Sequence, residues 1–175
     1  MELVRPSEKY VPSYAEAIAE DELYRKGGER RFRDPETVVE RARNFEHGID
    51  LPKGFVPETI LWLVEGDRFI DEIGIRHRLT PALEKFGGNI GYEIRWSESG
   101  KGYGTGMLAM ALPCCAQIPG LNKVLLTCDD DNTASIRVIE KNGGVLQDKV
   151  LNYWDRGQVL TRRYWIDLIR ERPQP

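Results

Sequence analysis

A glycine-rich turn between a predicted strand and a predicted helix constrains this chain more than any other segment. Residues 89–96 alternate apolar and polar side chains, and residues 102–117 are apolar enough for a buried helix. Glycines occupy positions 100, 102, 104 and 106 of this segment. Glycine lets successive backbone N–H groups turn toward one anion, and a helix start adds unsatisfied donors and a positive dipole end. The turn therefore predicts a phosphate site, the alternative being a purely structural connection.

The spacing of the glycines excludes the common nucleotide-binding fingerprints. In a Walker loop the lysine follows the last glycine, whereas Lys101 precedes Gly102 here. A dinucleotide fingerprint needs glycine at 105 or 107, where Thr105 and Met107 stand. A kinase loop would come with His-Arg-Asp and Asp-Phe-Gly motifs, which the sequence lacks. A nucleotide-binding module stays only as a third hypothesis.

The remaining pattern predicts one α+β domain over residues 1–175. A chain of this length with 41% hydrophobic residues can build one sizeable core. The order β, α, α, three β, α, β, α, β, β favours a mixed, largely antiparallel twisted sheet flanked by helices. The predicted elements are strands at 2–5, 60–64, 68–79, 89–96, 123–128, 145–153 and 160–166, helices at 14–24, 34–48, 102–117 and 133–142, and a loop at 81–87. Turns are predicted at 27–28 and 155–157.

Composition argues against several classes of protein. The net charge of −3 supplies no overall basic field for a nucleic acid, and no apolar run reaches the roughly 18 residues of a membrane span. The N-terminus lacks the apolar core of a signal peptide. Three cysteines, two of them adjacent, indicate reduced thiols, and two histidines without ligand spacing predict no metal site. We expect a cytoplasmic protein with no nucleic-acid or membrane partner, and a homodimer is one expected state.

Two segments carry a resemblance to a known family. Residues 99–104 read Ser-Gly-Lys-Gly-Tyr-Gly, and residues 132–135 read Asn-Thr-Ala-Ser. They resemble the Gln/Arg-x-x-Gly-x-Gly/Ala and Asn-x-x-Ser/Ala motifs of the GNAT superfamily of acyl-CoA-dependent N-acetyltransferases. The resemblance covers about residues 60–166, with one helix and one strand between the motifs. Ser99 departs from the usual Gln or Arg, so a side-chain contact to the pyrophosphate is either missing or supplied by Lys101.

The resemblance implies a GNAT-type fold and acetyl-CoA as co-substrate. The fourth and fifth strands, near 92–96 and 123–128, would splay apart to admit the pantetheine arm. The 100–106 backbone would take the pyrophosphate, a backbone N–H near Ile94 would stabilise the oxyanion, and Asn132 and Ser135 would flank the cofactor. For Asn132, a plain helix cap is the alternative. The implied cofactor contacts are Ile94, Lys101, Gly102, Tyr103, Gly104, Thr105, Gly106, Asn132 and Ser135.

The catalytic groups are less clearly indicated by the sequence. Glu93 lies on the predicted fourth strand, on the face opposite Tyr92 and Ile94, where it could act as general base; an ion pair with Arg95 is the alternative. Glu72 on the preceding strand is a weaker candidate. Many members of the family carry a tyrosine seven residues after the motif asparagine, where it can protonate the leaving thiolate. Ile139 stands there, which leaves the thiolate unassisted or assigns the role to Tyr92, Tyr103 or Tyr153.

Two hypotheses from different classes follow. The first is transfer of an acetyl group from acetyl-CoA to a primary amine of a small molecule or peptide. The second is a CoA-binding regulatory module without turnover, which Ser99 and Ile139 support because they depart from the family's motif and from its tyrosine.

Acidic residues 129–131 could face a cationic amine or the start of the next helix, and residues 20–22 could select a basic substrate or form a solvated helix face.

Overall fold

The fold is known from a computed structural model that describes residues 1–24, 34–154 and 157–168. Within these residues, seven strands form one sheet in the order β1-β2-β3-β4-β5-β7-β6. The elements in chain order are β1 (Glu2–Val4), α1 (Val11–Tyr24), α2 (Val38–His47), β2 (Glu58–Glu65), β3 (Arg68–Arg76), α3 (Pro81–Lys85), β4 (Ile90–Ile94), α4 (Tyr103–Ala116), β5 (Lys123–Asp129), α5 (Thr133–Lys141), β6 (Val145–Trp154) and β7 (Gly157–Asp167).

The sheet is mixed and largely antiparallel. Among the described strands every neighbouring pair runs antiparallel except β4 and β5, which are parallel. A parallel neighbour requires a crossover, and α4 supplies it between these two strands. The predicted α+β fold class, with helices flanking a mixed sheet, is confirmed.

Helices cover both faces of the sheet and create two apolar clusters. On one face, Tyr14 of α1 stacks on Trp62 of β2 with ring centroids 4.7 Å apart, and Phe45 of α2 belongs to the same cluster. On the other face, Met107 and Leu108 of α4 are fully buried against β3, β4 and β5. Alternate residues of each strand therefore face different helices. We call these the α1 face and the α4 face.

Predicted and observed bounds differ by up to three residues in α1, β3 and β7, and two further differences have a local cause. The second helix begins at Val38 and not at Asp34, because the Asp34 carboxylate accepts hydrogen bonds from the Glu36 backbone N–H (3.0 Å) and the Thr37 hydroxyl (2.8 Å) and so closes a turn before the helix. Residues 81–85, predicted as a loop, form α3, which the Thr80 side chain caps by accepting from the Leu83 N–H. The predicted turns at 27–28 and around 155–156 lie outside the described residues.

Candidate active site

The parallel strands β4 and β5 separate after a single register pair. Ile90 lies opposite Leu126, and beyond this pair β4 continues to Ile94 and β5 to Asp129 without further pairing. Asn89 extends the contact backwards, because its N–H donates to the Leu125 carbonyl at 2.7 Å. The predicted splay is therefore present, and it begins at Gly91. We call the space beyond Ile90 and Leu126 the cleft.

The backbone of β4 directs alternate N–H groups toward the cleft. Arg76 N–H donates to the Asn89 carbonyl, and Arg95 N–H to the Ile70 carbonyl, so the odd-numbered residues of this stretch exchange ladder bonds with β3. In an antiparallel ladder the alternate residues point their N–H groups to the opposite edge. The amides of Tyr92 and Ile94 consequently lie on the edge that faces β5.

The glycine-rich turn begins six residues after the end of β4 and leads into α4. Gly100 and Gly102 have φ of +79° and +85°, a region that only glycine enters without strain, and Gly102 is the residue before the first turn of α4. The backbone N–H groups of residues 100–104 donate no hydrogen bond to any described residue. They form, with the helix start, the donor set that an anion requires.

The later glycines of the turn have other surroundings. Gly104 is buried, and a Cβ there would lie 3.3 Å from Val138 of α5 and 3.4 Å from Ile94. It therefore allows α4 to pack closely on α5 and β4. Gly106 is exposed, and a Cβ there would meet nothing within 4 Å.

Lys101, Thr105 and Tyr103, which are expected at the cofactor site, have different surroundings in the chain. The Lys101 ammonium lies 3.0 Å from the carboxylate of Glu98, which is itself only 1% exposed. Thr105 contributes a carbonyl that accepts from the Asn142 side chain at 3.2 Å, and Tyr103 is half-buried as the first residue of α4. Lys101 is thus held at the turn by an ion pair with a buried acid, and a pyrophosphate would share it with Glu98.

The second motif lies at the start of α5, across the cleft from β4. The Asn132 side-chain oxygen accepts from the Ser135 N–H at 3.0 Å, the geometry of a helix cap. Ser135 is half-buried in the first turn. Ile139, at the position where the family resemblance places a tyrosine, is 1% exposed in the apolar cluster of the α4 face.

Glu93 lies on the α1 face of the sheet, opposite in direction to Tyr92 and Ile94. Its direct cross-strand partner is Glu72, whose carboxylate accepts from the Trp62 indole N–H at 3.1 Å. Two carboxylates therefore occupy opposite positions on neighbouring strands. Like charges placed directly opposite each other on neighbouring strands repel one another.

Arg95, directly after β4, is the most extensively bonded side chain of the site. Its guanidinium is buried, with the residue 4% exposed, and it contacts Glu20 at 2.5 Å and Glu16 at 3.3 Å. It also donates to the Ser13 hydroxyl and the Phe69 carbonyl. Glu20 in turn accepts from the Ser97 N–H. We call this set of contacts the Arg95 clamp, because it joins α1 to the connection between β4 and α4.

The clamp bears on two sequence-based alternatives. A surface ion pair of Glu93 with Arg95 or a neighbour was one of them; Arg95 itself is buried and pairs with Glu16 and Glu20. Glu20 was expected either to select a basic substrate or to lie on a solvated helix face, and it instead holds Arg95. Burial tends to raise the Glu20 pKa, but the hydrogen bonds from Arg95 and Ser97 outweigh it and hold the pKa below its usual value.

The acidic segment after β5 has partners on other strands that the sequence did not indicate. The Asp130 carboxylate lies 2.5 Å from Arg162 of β7 and 2.7 Å from Lys149 of β6. It links β5 to the neighbouring hairpin.

The cysteines behave as core residues. Burial raises the pKa of the Cys128 thiol to about 11 and that of Cys115 to about 12, so both are protonated at neutral pH.

The part of the chain that the structure describes contains no group of three His, Cys, Asp or Glu able to hold a metal ion. In the same ranges no helix combines the length and the apolar character needed to cross a membrane.

Sequence reasoning missed Arg95, Gly88 and Asn89. Asn89 is 1% exposed, and its side chain bonds both the Leu125 N–H and the Arg76 carbonyl. A Cβ at Gly88 would lie 2.2 Å from the Leu125 carbonyl oxygen. The dipeptide Gly87-Gly88 was a visible signal of close backbone approach, whereas nothing local indicated that Arg95 would bond a helix 75 residues earlier.

Comparison with known proteins identifies the class to which this fold and site belong. The sequence matches the acetyltransferase (GNAT) domain family over residues 1–145, and the chain therefore belongs to that family. Comparison with curated proteins gives no significant match. Solved structures with the same fold include RimL, a ribosomal-protein alpha-N-acetyltransferase, in complex with coenzyme A, at 15% identity and a TM-score of 0.68, covering 95% of this chain and 93% of that one.

Two further structures have comparable similarity. The microcin self-immunity acetyltransferase MccE, in complex with acetyl-CoA and AMP, is 14% identical with a TM-score of 0.69, covering 94% of this chain and 91% of its own. A chimera of the spermidine N-acetyltransferase SpeG of Vibrio cholerae is 14% identical with a TM-score of 0.64, covering 96% of this chain and 97% of its own. At these identities the likeness establishes the fold and not the acceptor.

Proposed function

We propose that this protein transfers an acetyl group from acetyl-CoA to a primary amine by direct attack of the amine on the thioester. The observation that carries the proposal is the combination of a cleft between β4 and β5 with unbonded amides at residues 100–104, a turn that begins six residues after β4. Pantetheine enters the cleft, and the turn binds the pyrophosphate together with the α4 dipole. RimL and MccE, which share the fold, were solved with CoA and acetyl-CoA.

The roles of the cofactor-binding residues follow from this arrangement. Gly102 and Gly104 permit the turn and its packing, Lys101 and the amides of Tyr103, Thr105 and Gly106 approach the phosphates, and Asn132 and Ser135 flank the arm on the α5 side. The N–H of Ile94 lies on the cleft edge of β4, where it stabilises the oxyanion that develops on the thioester carbonyl.

Glu93 is proposed as the general base. It faces α1 and α2, the side from which an acceptor approaches, while the next residue along β4 presents its amide to the cleft. A carboxylate on that face can take the proton that the amine loses as it attacks. Glu72, directly opposite, adds negative charge that favours a cationic acceptor.

The acceptor is a small-molecule or peptide amine. The structurally similar proteins include enzymes named for a ribosomal protein and for spermidine, both of which are amine acceptors. We further propose that the chain acts as one domain over residues 1–175, in the cytoplasm, without nucleic-acid or membrane partners and with homodimerisation as one assembly state.

The test is CoA release from acetyl-CoA with a panel of primary amines, comparing the wild type with Glu93→Gln. We expect thiol release that depends on an amine, and a loss of about 100-fold or more in the variant at neutral pH. Glu84→Gln, on α3, is the matched control and should keep the wild-type rate. Selective thermal stabilisation by CoA and acetyl-CoA over ATP and NADH checks the cofactor. Stabilisation without any thiol release would favour the non-catalytic CoA-binding module instead.

A further inference from the structure

A cavity lies on the α1 face of the sheet, between α3 and the segment that leads into β2. Its volume is about 290 Å³, at the lower end of the range for small-molecule sites. Glu58 of β2 and Arg76 of β3, a cross-strand pair on the same side of the sheet as Ile60, are its charged lining residues. The apolar part of its wall consists of Phe55, Val56, Ala82, Leu83 and Phe86.

This cavity is distinct from the cleft that we propose for acetyl-CoA. The Arg76 backbone N–H donates to the Asn89 carbonyl, so Arg76 lies level with the start of β4, where β4 and β5 are in contact. Glu93, the proposed base, is four residues further along, which corresponds to about 14 Å of strand. The described lining residues of the cavity include none from 100–106 or 132–135. The proposed acetyl transfer therefore assigns no role to this cavity.

The cavity is open to solvent between two aromatic rings. The side chains of Phe55 and Phe86, which both line it, are exposed. A Cβ at Gly87 would lie 3.3 Å from the Leu83 side chain and 3.6 Å from Arg76 Nη1, so the absence of a side chain at Gly87 keeps space free beside the guanidinium. A planar apolar ligand can enter here and pack against the rings.

The Arg76 guanidinium supplies the polar group of the cavity. Its Nη1 donates to the carbonyls of Gly87 at 2.8 Å and Gly88 at 3.0 Å, and its Nε lies 3.8 Å from a Glu58 carboxylate oxygen, beyond hydrogen-bond distance. No hydrogen bond joins Nη2 to any residue within 1–24, 34–154 and 157–168. Burial also lowers the pKa of Arg76. A ligand oxygen would give Nη2 the acceptor that the described chain does not provide.

We propose that this cavity is a second ligand site, which binds a small aromatic molecule carrying an uncharged carbonyl oxygen, as in a carboxamide. The oxygen accepts from Arg76 Nη2, and the ring packs against Phe55 and Phe86. An uncharged oxygen is favoured over a carboxylate because the buried Glu58 already lies beside the guanidinium and would repel a second anion. The site does not depend on the proposed acetyl transfer.

The first experiment titrates the ¹⁵N-labelled full chain with phenylacetamide and, separately, with its isosteric anion phenylacetate, and follows the backbone amides by NMR. Phenylacetamide should shift the signals of Leu83, Phe86 and Gly87 and leave Gly102 unmoved. For a ligand of about ten non-hydrogen atoms we expect a dissociation constant of about 1 mM. Phenylacetate should bind at least about fivefold more weakly.

Two results of this titration would overturn the proposal. If phenylacetamide shifts no signal at the cavity, or shifts only those of the glycine turn, the cavity is not its site. If phenylacetate binds as tightly as phenylacetamide or more tightly, the assigned class of ligand is wrong. Both results are measured by binding alone, so they stay separate from the failure or success of acetyl transfer.

The second experiment repeats the phenylacetamide titration with two variants of α3. Ala82→Phe places a ring at an exposed residue that lines the cavity, and Glu84→Phe places the same ring on the same helix at a residue that does not line it. We expect affinity to fall at least about tenfold in Ala82→Phe, because the added ring fills part of the cavity, and to stay at the wild-type value in Glu84→Phe. Equal affinities in the two variants would show that the ligand binds elsewhere.

A third variant, Arg76→Lys, tests the proposed hydrogen bond. It keeps the positive charge but removes Nη2, so phenylacetamide should bind about tenfold more weakly. Wild-type affinity in this variant would exclude Nη2 as the donor and overturn the proposal. Should Arg76→Lys fail to fold, the Ala82→Phe titration decides, because it changes only an exposed residue.

Discussion

The two ends of the β4–β5 junction are built in opposite ways. At one end Asn89, Ile90 and Leu125 bring the strands into backbone contact, with the Asn89 N–H 2.7 Å from the Leu125 carbonyl and the Leu125 N–H 2.9 Å from the Asn89 side-chain oxygen. At the other end no backbone pair connects the strands, and the Arg95 clamp holds β4 to α1 instead. We call them the closed end and the open end.

The difference shows how a sheet can contain a gap without losing its integrity. At the closed end the hydrogen bonds lie beside Gly88. Any side chain at this position would collide with the Leu125 carbonyl. At the open end a buried ion pair outside the sheet, between Arg95 and Glu20, holds β4 in place, beside the cleft that we propose as the cofactor site. The backbone contact between the strands and the proposed cofactor cleft thus lie at opposite ends of β4 and β5. Substitutions at each end should therefore have different effects.

The largest effect is expected from Gly88→Ala. A Cβ there would lie 2.2 Å from the Leu125 oxygen at a φ of +59°, so both contact and backbone are strained. We expect a loss of about 3 kcal/mol or more in the free energy of unfolding by urea denaturation. Gly66→Ala is the matched control, since its φ is +61° and a Cβ would meet nothing within 4 Å. It should lose about 1 kcal/mol, and equal losses in the two variants would contradict the contact explanation.

The next effect concerns Asn89→Ala, which removes the side chain that bridges β3 and β5. The buried Leu125 N–H and Arg76 carbonyl would lose their partner, at a cost of about 2–3 kcal/mol by the same denaturation measurement. Asn132→Ala, which removes only an exposed helix cap, should cost about 1 kcal/mol. Hydrogen exchange of the Leu125 amide should accelerate in the Asn89 variant alone, and protection equal to the wild type would argue against the bridge.

At the open end, Glu20→Gln should weaken the Arg95 clamp by about 1–3 kcal/mol. Because the Glu20 pKa is lowered in the folded state, its stabilisation is present above the unfolded value of about 4.3 and is lost as pH falls through the folded value. The stability difference between wild type and variant should therefore shrink on acidification below about pH 4. Glu16→Gln, with a carboxylate 68% exposed, should show little of this behaviour. A difference that does not change with pH would exclude Glu20 as the titrating group.

The smallest change in stability is expected for Gly102→Ala. Its φ of +85° carries strain but a Cβ would meet no atom, so about 1 kcal/mol should be lost. Acetyl-CoA affinity should fall further, since the amides of the turn would no longer be aligned for a phosphate. Gly54→Ala, at φ +90° and equally open, should lose similar stability and keep the affinity. The readout is a calorimetric titration; unchanged affinity in Gly102→Ala would remove the turn from the cofactor site.

Much of the fold was predictable because its signals are local. The sequence correctly predicted β4 from the alternation at Ile90–Ile94, α4 from its apolar run, and the Asn132 cap of α5. The splay of β4 from β5 was predicted from the family resemblance. The errors at Asp34 and at residues 81–85 arose because polar side chains bond the nearby backbone. Asp34 closes a turn before α2, and Thr80 caps α3, which was not predicted. The ion pairs of Asp130 could not be predicted because its partners, Lys149 and Arg162, are on other strands.

The sequence by itself determined the order of the elements, the glycine turn and the family to which the chain belongs, since hydrophobic period and glycine spacing are encoded within a few residues. Only the tertiary structure decided that Arg95 bonds Glu20 and that the Asn89 side chain bridges β3 and β5. These relations join residues tens of positions apart, and the register of a sheet and the packing of helices on its two faces bring them together.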